Sequence, residues 1–254
     1  MNIKQLKNIM ISASLKAGEQ IMHIYQNSAN FGIETKSDNS PLTLADKAAH
    51  KIISESLLET SFPILSEEGK EIAYETRQAW DTFWLIDPLD GTKEFIKKNG
   101  EFTTNIALIK NGKPVMGAVY APVCQELYIG GSLLGEAFIQ KGNNAPIPLK
   151  QKSPKRKVKT VVTSRSHLNM ATENYLKSLG KVETKAIGSS LKFMLIAKGD
   201  ADIYPRFGPT MEWDTAAADA IVSFLGYNLC KVDDDSEKLT YNKKNLLNPE
   251  FICQ

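Results

Sequence analysis

Phe83-Trp84-Leu85-Ile86-Asp87-Pro88-Leu89-Asp90-Gly91-Thr92-Lys93-Glu94-Phe95 is the stretch that decides the reading. Four large apolar residues run into an acidic turn. A short apolar run bounded by Pro and Gly is the pattern of a buried strand. Pro88 fixes its own φ and is expected to end the strand abruptly, while Gly91 permits a turn that other residues resist. Asp87 and Asp90 are then held close together at a strand end, where two carboxylates repel unless a positive charge sits between them. Hard oxygen ligands on a turn suit Mg²⁺, which needs few protein ligands and leaves positions for water and phosphate. Locally, an acidic surface turn has the same composition.

On the N-terminal side, Ile3, Leu6, Met10, Ala13, Ala17, Ile21 and Ile24 form one apolar face of an opening helix. A second helix is expected from Thr43 through Ala48, Ile52 and Leu57. Asp46, three residues after Thr43, suits a capping role in the first turn. Phe62 to Ser66 reads as a short strand followed by Glu67-Glu68-Gly69, an acidic loop that is either solvated or completes a metal site. Gly69 to Trp80 has weak helical spacing and is expected to be a flap over the site.

On the C-terminal side, Phe102–Ile109, the hairpin signal Asn111-Gly112 and Pro114–Tyr120 begin an antiparallel meander that continues through Glu126–Ile129 and Glu136–Ile139. That order excludes the regular strand–helix alternation of a nucleotide-binding βαβ fold. The basic run Lys150–Lys159 is either a solvated linker or a grip for an anion, and a boundary here divides residues 1–150 from 151–254 as two lobes of one unit. Lys159–Thr163 is expected to be a strand leading to a loop that carries His167. Glu173–Leu179 is a helix closed by Gly180. Gly188-Ser189-Ser190-Leu191-Lys192 opens a helix whose Gly/Ser start is either an ordinary cap or a phosphate or ribose site. Ala201–Tyr204 is expected to be a strand before a rigid turn with Arg206, whose planar fork matches phosphate oxygens. Glu212-Trp213-Asp214 opens an Ala-rich helix with Asp214 as a candidate N-cap. Tyr227–Val232 is the last expected strand, and Asp233-Asp234-Asp235 a solvated turn.

The composition is that of a soluble globular protein: 254 residues, 42% hydrophobic and 24% charged. A net charge of +2 gives no steer toward nucleic acid. Cys124, Cys230 and Cys253 are widely spaced without a CxxC, which argues against zinc and for free thiols in a reducing compartment. No apolar run approaches the roughly 20 residues of a membrane span, and the start does not read as a signal peptide. Cytoplasmic placement is expected, with peripheral membrane contact left open.

Asp-Pro-Leu-Asp-Gly-Thr at 87–92 resembles the signature of the lithium-sensitive, Mg²⁺-dependent phosphatases of the inositol monophosphatase superfamily, and Trp213-Asp214 resembles their second motif. Lys93-Glu94-Phe95 is closer to the branch that cleaves adenosine 3',5'-bisphosphate, the 3'(2'),5'-bisphosphate nucleotidases, than to the inositol monophosphatases. The resemblance implies a layered αβαβα fold of α/β (α+β) class with the site between the lobes. It implies metal ligands at Glu67, Asp87, the Leu89 carbonyl, Asp90 and Asp214, holding two or three Mg²⁺ ions, with Mn²⁺ as a substitute. It gives Asp46 the task of orienting Thr92, which activates the attacking water beside Glu67. Substrate contacts are implied at Glu67, Leu89, Asp90, Gly91, Thr92, His167, Ser189, Lys192, Arg206 and Asp214. The implied reaction converts adenosine 3',5'-bisphosphate to AMP and phosphate, clearing a by-product of sulfate activation, in a monomer or homodimer. An inositol or sugar phosphatase on the same machinery is the nearest alternative. A non-catalytic nucleotide- or RNA-binding module working through Lys150–Lys159 is the alternative of another class.

Overall fold

Apolar residues three and four apart make α1 (Ile3–Asn27) an amphipathic helix that buries Leu6, Met10, Ala13, Ala17, Ile21 and Ile24. In this computed structural model, residues 1–28, 31–36, 40–150, 158–165 and 169–254 are described. After α1 come β1 (Glu34–Thr35), β2 (Pro41–Leu42), α2 (Leu44–Leu57), β3 (Ile64–Ser66), α3 (Tyr74–Arg77), β4 (Thr82–Asp90) and α4 (Thr92–Ile96). The meander follows as β5 (Thr103–Lys110), β6 (Lys113–Ala121), β7 (Glu126–Gly131), β8 (Glu136–Lys141) and β9 (Ile147–Pro148). The remainder is β10 (Lys159–Ser164), α5 (Met170–Ser178), β11 (Val182–Ile187), α6 (Leu191–Ala197), β12 (Tyr204–Arg206), α7 (Glu212–Phe224), β13 (Leu229–Lys231) and β14 (Phe251–Cys253).

Strands β3 to β9 form one sheet in chain order, antiparallel except for the parallel β3–β4 pair. Asn111 and Gly112 take φ of 51° and 71°, the left-handed pair a tight hairpin requires. Because side chains alternate across a strand, β4 sends Trp84 and Ile86 to one face and Phe83 and Leu85 to the other. The first pair packs with α1 and α2, the second with α6 and α7. α7 comes so close to β6 that a Cβ on Gly117 would lie 2.1 Å from the Ala217 carbonyl oxygen. On the far side of α6 and α7 lie the parallel pair β10–β11 and the order β12–β14–β13, joined by a bridge from Val161 to Ile203. α5 packs against β12 and completes the αβαβα layering.

Several sequence expectations need correction. β4 does not stop at Pro88 but runs to Asp90, with its register shifting between Asp87 and Asp90. Proline is accommodated because a bulge removes the ladder bond it cannot make. The 69–80 segment is not a free flap: Arg77 is buried and donates to Asn242 Oδ1 and the Lys244 carbonyl, both at 2.9 Å. α2 buries Ala45, Asp46, Ala49, Ile53 and Leu57, a face one residue away from Ala48 and Ile52. The strand expected at Ala201–Tyr204 begins only at Tyr204 and includes Pro205. β11 and β14 were not expected. The division at residue 150 falls beside 151–157, outside the described residues, as does most of the basic run. Among the described residues no helix is long and apolar enough to cross a membrane.

Candidate active site

The register shift near the end of β4 lies between two acids, Asp87 and Asp90. Asp87 is almost fully buried, and its Oδ1 accepts the Leu89 amide at 3.0 Å. Parallel pairing of β3 with β4, extended by the Glu67 amide donating to the Ile86 carbonyl, brings Glu67 alongside. Asp214 arrives from the first turn of α7. It is the third helical residue, not the cap: Met211 is the cap, and its amide donates to Asp214 Oδ2 at 2.9 Å. Carboxylate oxygens of Glu67, Asp87 and Asp214 lie within 4.8 Å of one another.

Three acids from three segments at that spacing repel one another unless a cation joins them. Burial, reinforced by Glu67, Asp90 and Asp214, pushes the Asp87 carboxyl well above the usual range. Burial and then Asp90 and Glu67 do the same to Asp214. Glu67 is raised by burial despite the Lys36 ammonium 2.8 Å from its Oε1. Lys36 also pairs with Glu68, whose carboxyl burial pushes up to about 7.

Asp90 stands beside this trio with one oxygen occupied. Its Oδ2 accepts from the Ser190 amide at 2.6 Å, the Ser190 hydroxyl at 2.7 Å and Asn105 Nδ2 at 3.4 Å. Ser190 lies close to Asp214 as well, its Oγ 3.0 Å from that residue's carbonyl oxygen. Gly91, with φ of 94°, caps α4. Thr92 opens that helix, and its Oγ1 lies 3.1 Å from Asp46 Oδ1 and 3.3 Å from the Leu89 carbonyl. Asp46 is itself fixed by the cap of α2, where its Oδ2 accepts the Thr43 amide at 2.7 Å and the Thr43 hydroxyl at 2.5 Å. Its capping role and its contact with Thr92 therefore coexist, one on each oxygen.

A cleft of about 250 Å³ opens above these groups. Glu67, Asp90, Thr92 and Asp214 line it together with Ser189, Lys192 and Arg206. Lys192 is buried, donates to the Ser189 carbonyl at 2.6 Å, and is pushed down to about 8 by burial. Arg206 donates through Nη2 to the Pro209 carbonyl, while its buried Nε has no partner among the described residues. His167 lies outside the described residues.

A family model described as the inositol monophosphatase family matches residues 2–251. The chain belongs to that family. The 3'(2'),5'-bisphosphate nucleotidase CysQ of Escherichia coli (strain K12) is 46% identical over 239 residues, 92% of this chain and 94% of that protein. Its counterpart in Salmonella typhimurium (strain LT2) is 47% identical over the same length and coverage. The crystal structure of CysQ from Bacteroides thetaiotaomicron, a bacterial member of the inositol monophosphatase family, superposes with a TM-score of 0.86 at 46% identity. The match covers 97% of this chain and 95% of that one.

Sequence reasoning missed Lys36, Asn105 and Ser190. Lys36 sits in a polar stretch with no local pattern, and Asn105 lies inside the β5 strand. Ser190 was within the quoted Gly-Ser-Ser motif, but only the fold shows that it, not Ser189, holds Asp90.

Proposed function

We propose that the chain is a Mg²⁺-dependent phosphomonoesterase that hydrolyses adenosine 3',5'-bisphosphate to AMP and phosphate. The carrying observation is the convergence of Glu67, Asp87 and Asp214 beside a cleft that Lys192 and Arg206 also line. The names borne by the relatives supply the substrate class.

The donor set fits a hard divalent cation. It is all oxygen, Asp87 is buried with Glu67 and Asp214 half-buried beside it, and the raised carboxyl pKa values mean that protons must otherwise neutralise it. Glu67, Asp87, Asp214, Asp90 through the oxygen that Ser190 does not hold, and the Leu89 carbonyl would hold the metal. When bound, Mg²⁺ supplies Lewis-acid stabilisation of the charge that develops on the phosphoryl oxygens. Mn²⁺ has the same preference for oxygen.

Thr92 gives the attacking water its direction. Its hydroxyl donates to Asp46, so its lone pairs remain to accept a water O–H. As the water oxygen attacks phosphorus and the ester P–O bond breaks, the water proton passes to Thr92 and the Thr92 proton to Asp46, while the departing ribose 3'-oxygen takes a proton from solvent water and Asp46 later returns its own to solvent. Burial raises the Asp46 carboxyl, which favours its taking that proton. The amides of Gly91 and Thr92 at the start of α4 face a phosphate oxygen. Lys192 and Arg206, with Ser189 and His167, take the second phosphate and the nucleoside. In this reading residues 1–150 and 151–254 are two lobes closing on the cleft, in a cytoplasmic enzyme.

Phosphate release with Mg²⁺, with and without a chelator, tests the reading. The expected result is chelator-sensitive release with kcat/KM for adenosine 3',5'-bisphosphate at least tenfold above that for inositol 1-phosphate. The reverse preference would make it an inositol phosphatase. No release from either ester would leave a binding protein.

A further inference from the structure

Glu212 directly precedes the Trp213-Asp214 motif, yet the chemistry above leaves it without a task. It is completely buried, and its carboxylate points away from the cleft into a chain loop at 240–248. Asn242 N–H donates to its Oε2 at 2.6 Å. Lys243 N–H and the Lys243 ammonium donate to its Oε1 at 3.0 and 2.6 Å. The Glu212 amide in turn donates to the Leu246 carbonyl at 2.9 Å, and Asn248 Nδ2 donates to the Met211 carbonyl at 2.9 Å. The first turn of α7, which carries Asp214, is thus tied to this loop at successive residues.

The same loop grips the segment that begins at Glu67. Arg77 Nη1 donates to Asn242 Oδ1, and Asn242 Nδ2 donates back to the Arg77 carbonyl at 2.7 Å. Asn242 makes both sets of bonds at φ of 71°, a left-handed conformation uncommon outside glycine, although Asn tolerates it better than most. A strained residue held by reciprocal bonds points to a required geometry. Between the two tethered segments lies a cleft of about 590 Å³, with Glu67 to Arg77 along one side and Met211, Trp213 and residues 244–246 along the other. Side-chain packing does not fill that space, so the spacing of its walls depends on the loop that spans them.

We propose that Glu212 and Asn242 are positioning residues for the metal site. The strap they form sets the separation of the Glu67 segment from the helix start that bears Asp214. The proposal rests on the reading of Glu67 and Asp214 as metal-holding carboxylates. Ligand spacing matters because a site held about 0.5 Å too loosely binds poorly.

The test is calorimetric titration of Mg²⁺ into folded, substrate-free protein at 25 °C, for wild type, Asn242→Gly, Glu212→Gln and Asp214→Asn. Glycine accepts the left-handed backbone without strain, so Asn242→Gly removes the grip on Arg77 and keeps the fold. We expect its Mg²⁺ Kd to rise roughly three- to tenfold, short of the 10- to 100-fold typical when a group bonded directly to a ligand is lost. Glu212→Gln, which forfeits an acceptor, moves the same way, and kcat at saturating Mg²⁺ stays within about twofold in both. A purely structural strap would lower Tm and leave Kd unchanged. A Kd within about twofold of wild type in both variants would overturn the proposal. If Asp214→Asn binds Mg²⁺ as wild type does, or wild type binds none, it is the underlying metal assignment that fails.

Discussion

Glu101 and Arg165 form a bidentate ion pair, Nε to Oε2 at 2.6 Å and Nη2 to Oε1 at 2.5 Å. Glu101 Oε2 also accepts the Gly188 amide at 2.8 Å, and Arg165 Nη2 donates to the Ala186 carbonyl at 2.9 Å. The pair therefore pins the strand end that leads into Ser189 and Lys192 onto the loop after α4. Arg165 is nearly half exposed, so the pair adds little stability: exposed pairs contribute about 0.2–1 kcal/mol. Its effect belongs in substrate placement. Arg165→Ala is expected to raise KM for the bisphosphate about three- to fivefold, which corresponds to the upper part of that range, while kcat and Tm hardly move. Steady-state kinetics beside a melting curve checks this. A fall in kcat with unchanged KM would count against it.

Thr92→Ala and Asp46→Asn should separate the proton path from the helix cap. Thr92 is only partly buried and holds nothing up, so its loss is expected to lower kcat by about 10²–10⁴ with Tm unchanged. Asp46 also accepts two bonds from Thr43 at the start of α2. Its amide variant is expected to lose comparable kcat and about 0.5–2 kcal/mol of stability as well. Kinetics with urea denaturation of each variant distinguishes the two. Equal stability losses would mean that Thr92 also serves the fold.

The acids on β4 were legible because a local pattern announces them: an apolar run, then Pro, Asp and Gly within four positions. Asp46 was legible as part of a capping box for the same reason. Ser190 was not, because its partner Asp90 is a hundred residues away and only the fold, which sets the start of α6 beside the end of β4, joins them. β11 escaped because Val182-Glu183-Thr184-Lys185-Ala186-Ile187 is largely exposed and has no buried face to impose alternation. β14 escaped because three residues are too few for a period to show. The bulge at Pro88 was misread as a strand end, since a proline in sequence does not reveal whether a neighbouring strand shifts its register to accommodate it.

Stability should depend on pH and metal together. Burial raises the folded-state pKa values of Glu67, Asp87 and Asp214 above the roughly 4 of unfolded carboxyls, and neighbouring acids add to it for Asp87 and Asp214. A carboxyl raised on folding binds its proton more tightly in the native state. Its stabilising contribution is complete below pH ~4 and is lost as pH rises through the folded pKa. A divalent cation bound at these acids would compete with those protons and replace them as the neutralising charge. The increment in Tm produced by Mg²⁺ is therefore expected to grow from pH 5.5 to pH 8, as measured by thermal melts in matched buffers with and without a chelator. An increment that shrinks with pH would show that these acids are not where the ion binds.

Gly91 is the position where the backbone itself sets the site. Its φ of 94° lies in the left-handed region, and a Cβ there would stand 3.0 Å from the Glu101 carbonyl oxygen and 3.3 Å from Ser189 Cβ. Gly91→Ala meets two separate costs. The backbone conformation alone costs about 1–2 kcal/mol for an L-residue. Relieving the contacts means moving the Asp90–Thr92 turn away from Ser189, or the 99–102 loop away from the turn. Either motion displaces Thr92 from Asp46 or strains the bonds from Ser190 to Asp90. The variant is expected to unfold at lower urea concentration and, in buffer where it is fully folded, to show kcat reduced at least tenfold. Gly180, which has a similar φ of 72° but nothing within 4 Å of where a Cβ would stand, is the control. Gly180→Ala should carry the backbone cost and leave kcat alone. Equal kcat losses at both glycines would mean that general destabilisation, and not the geometry of the Asp90–Thr92 turn, lowers the rate.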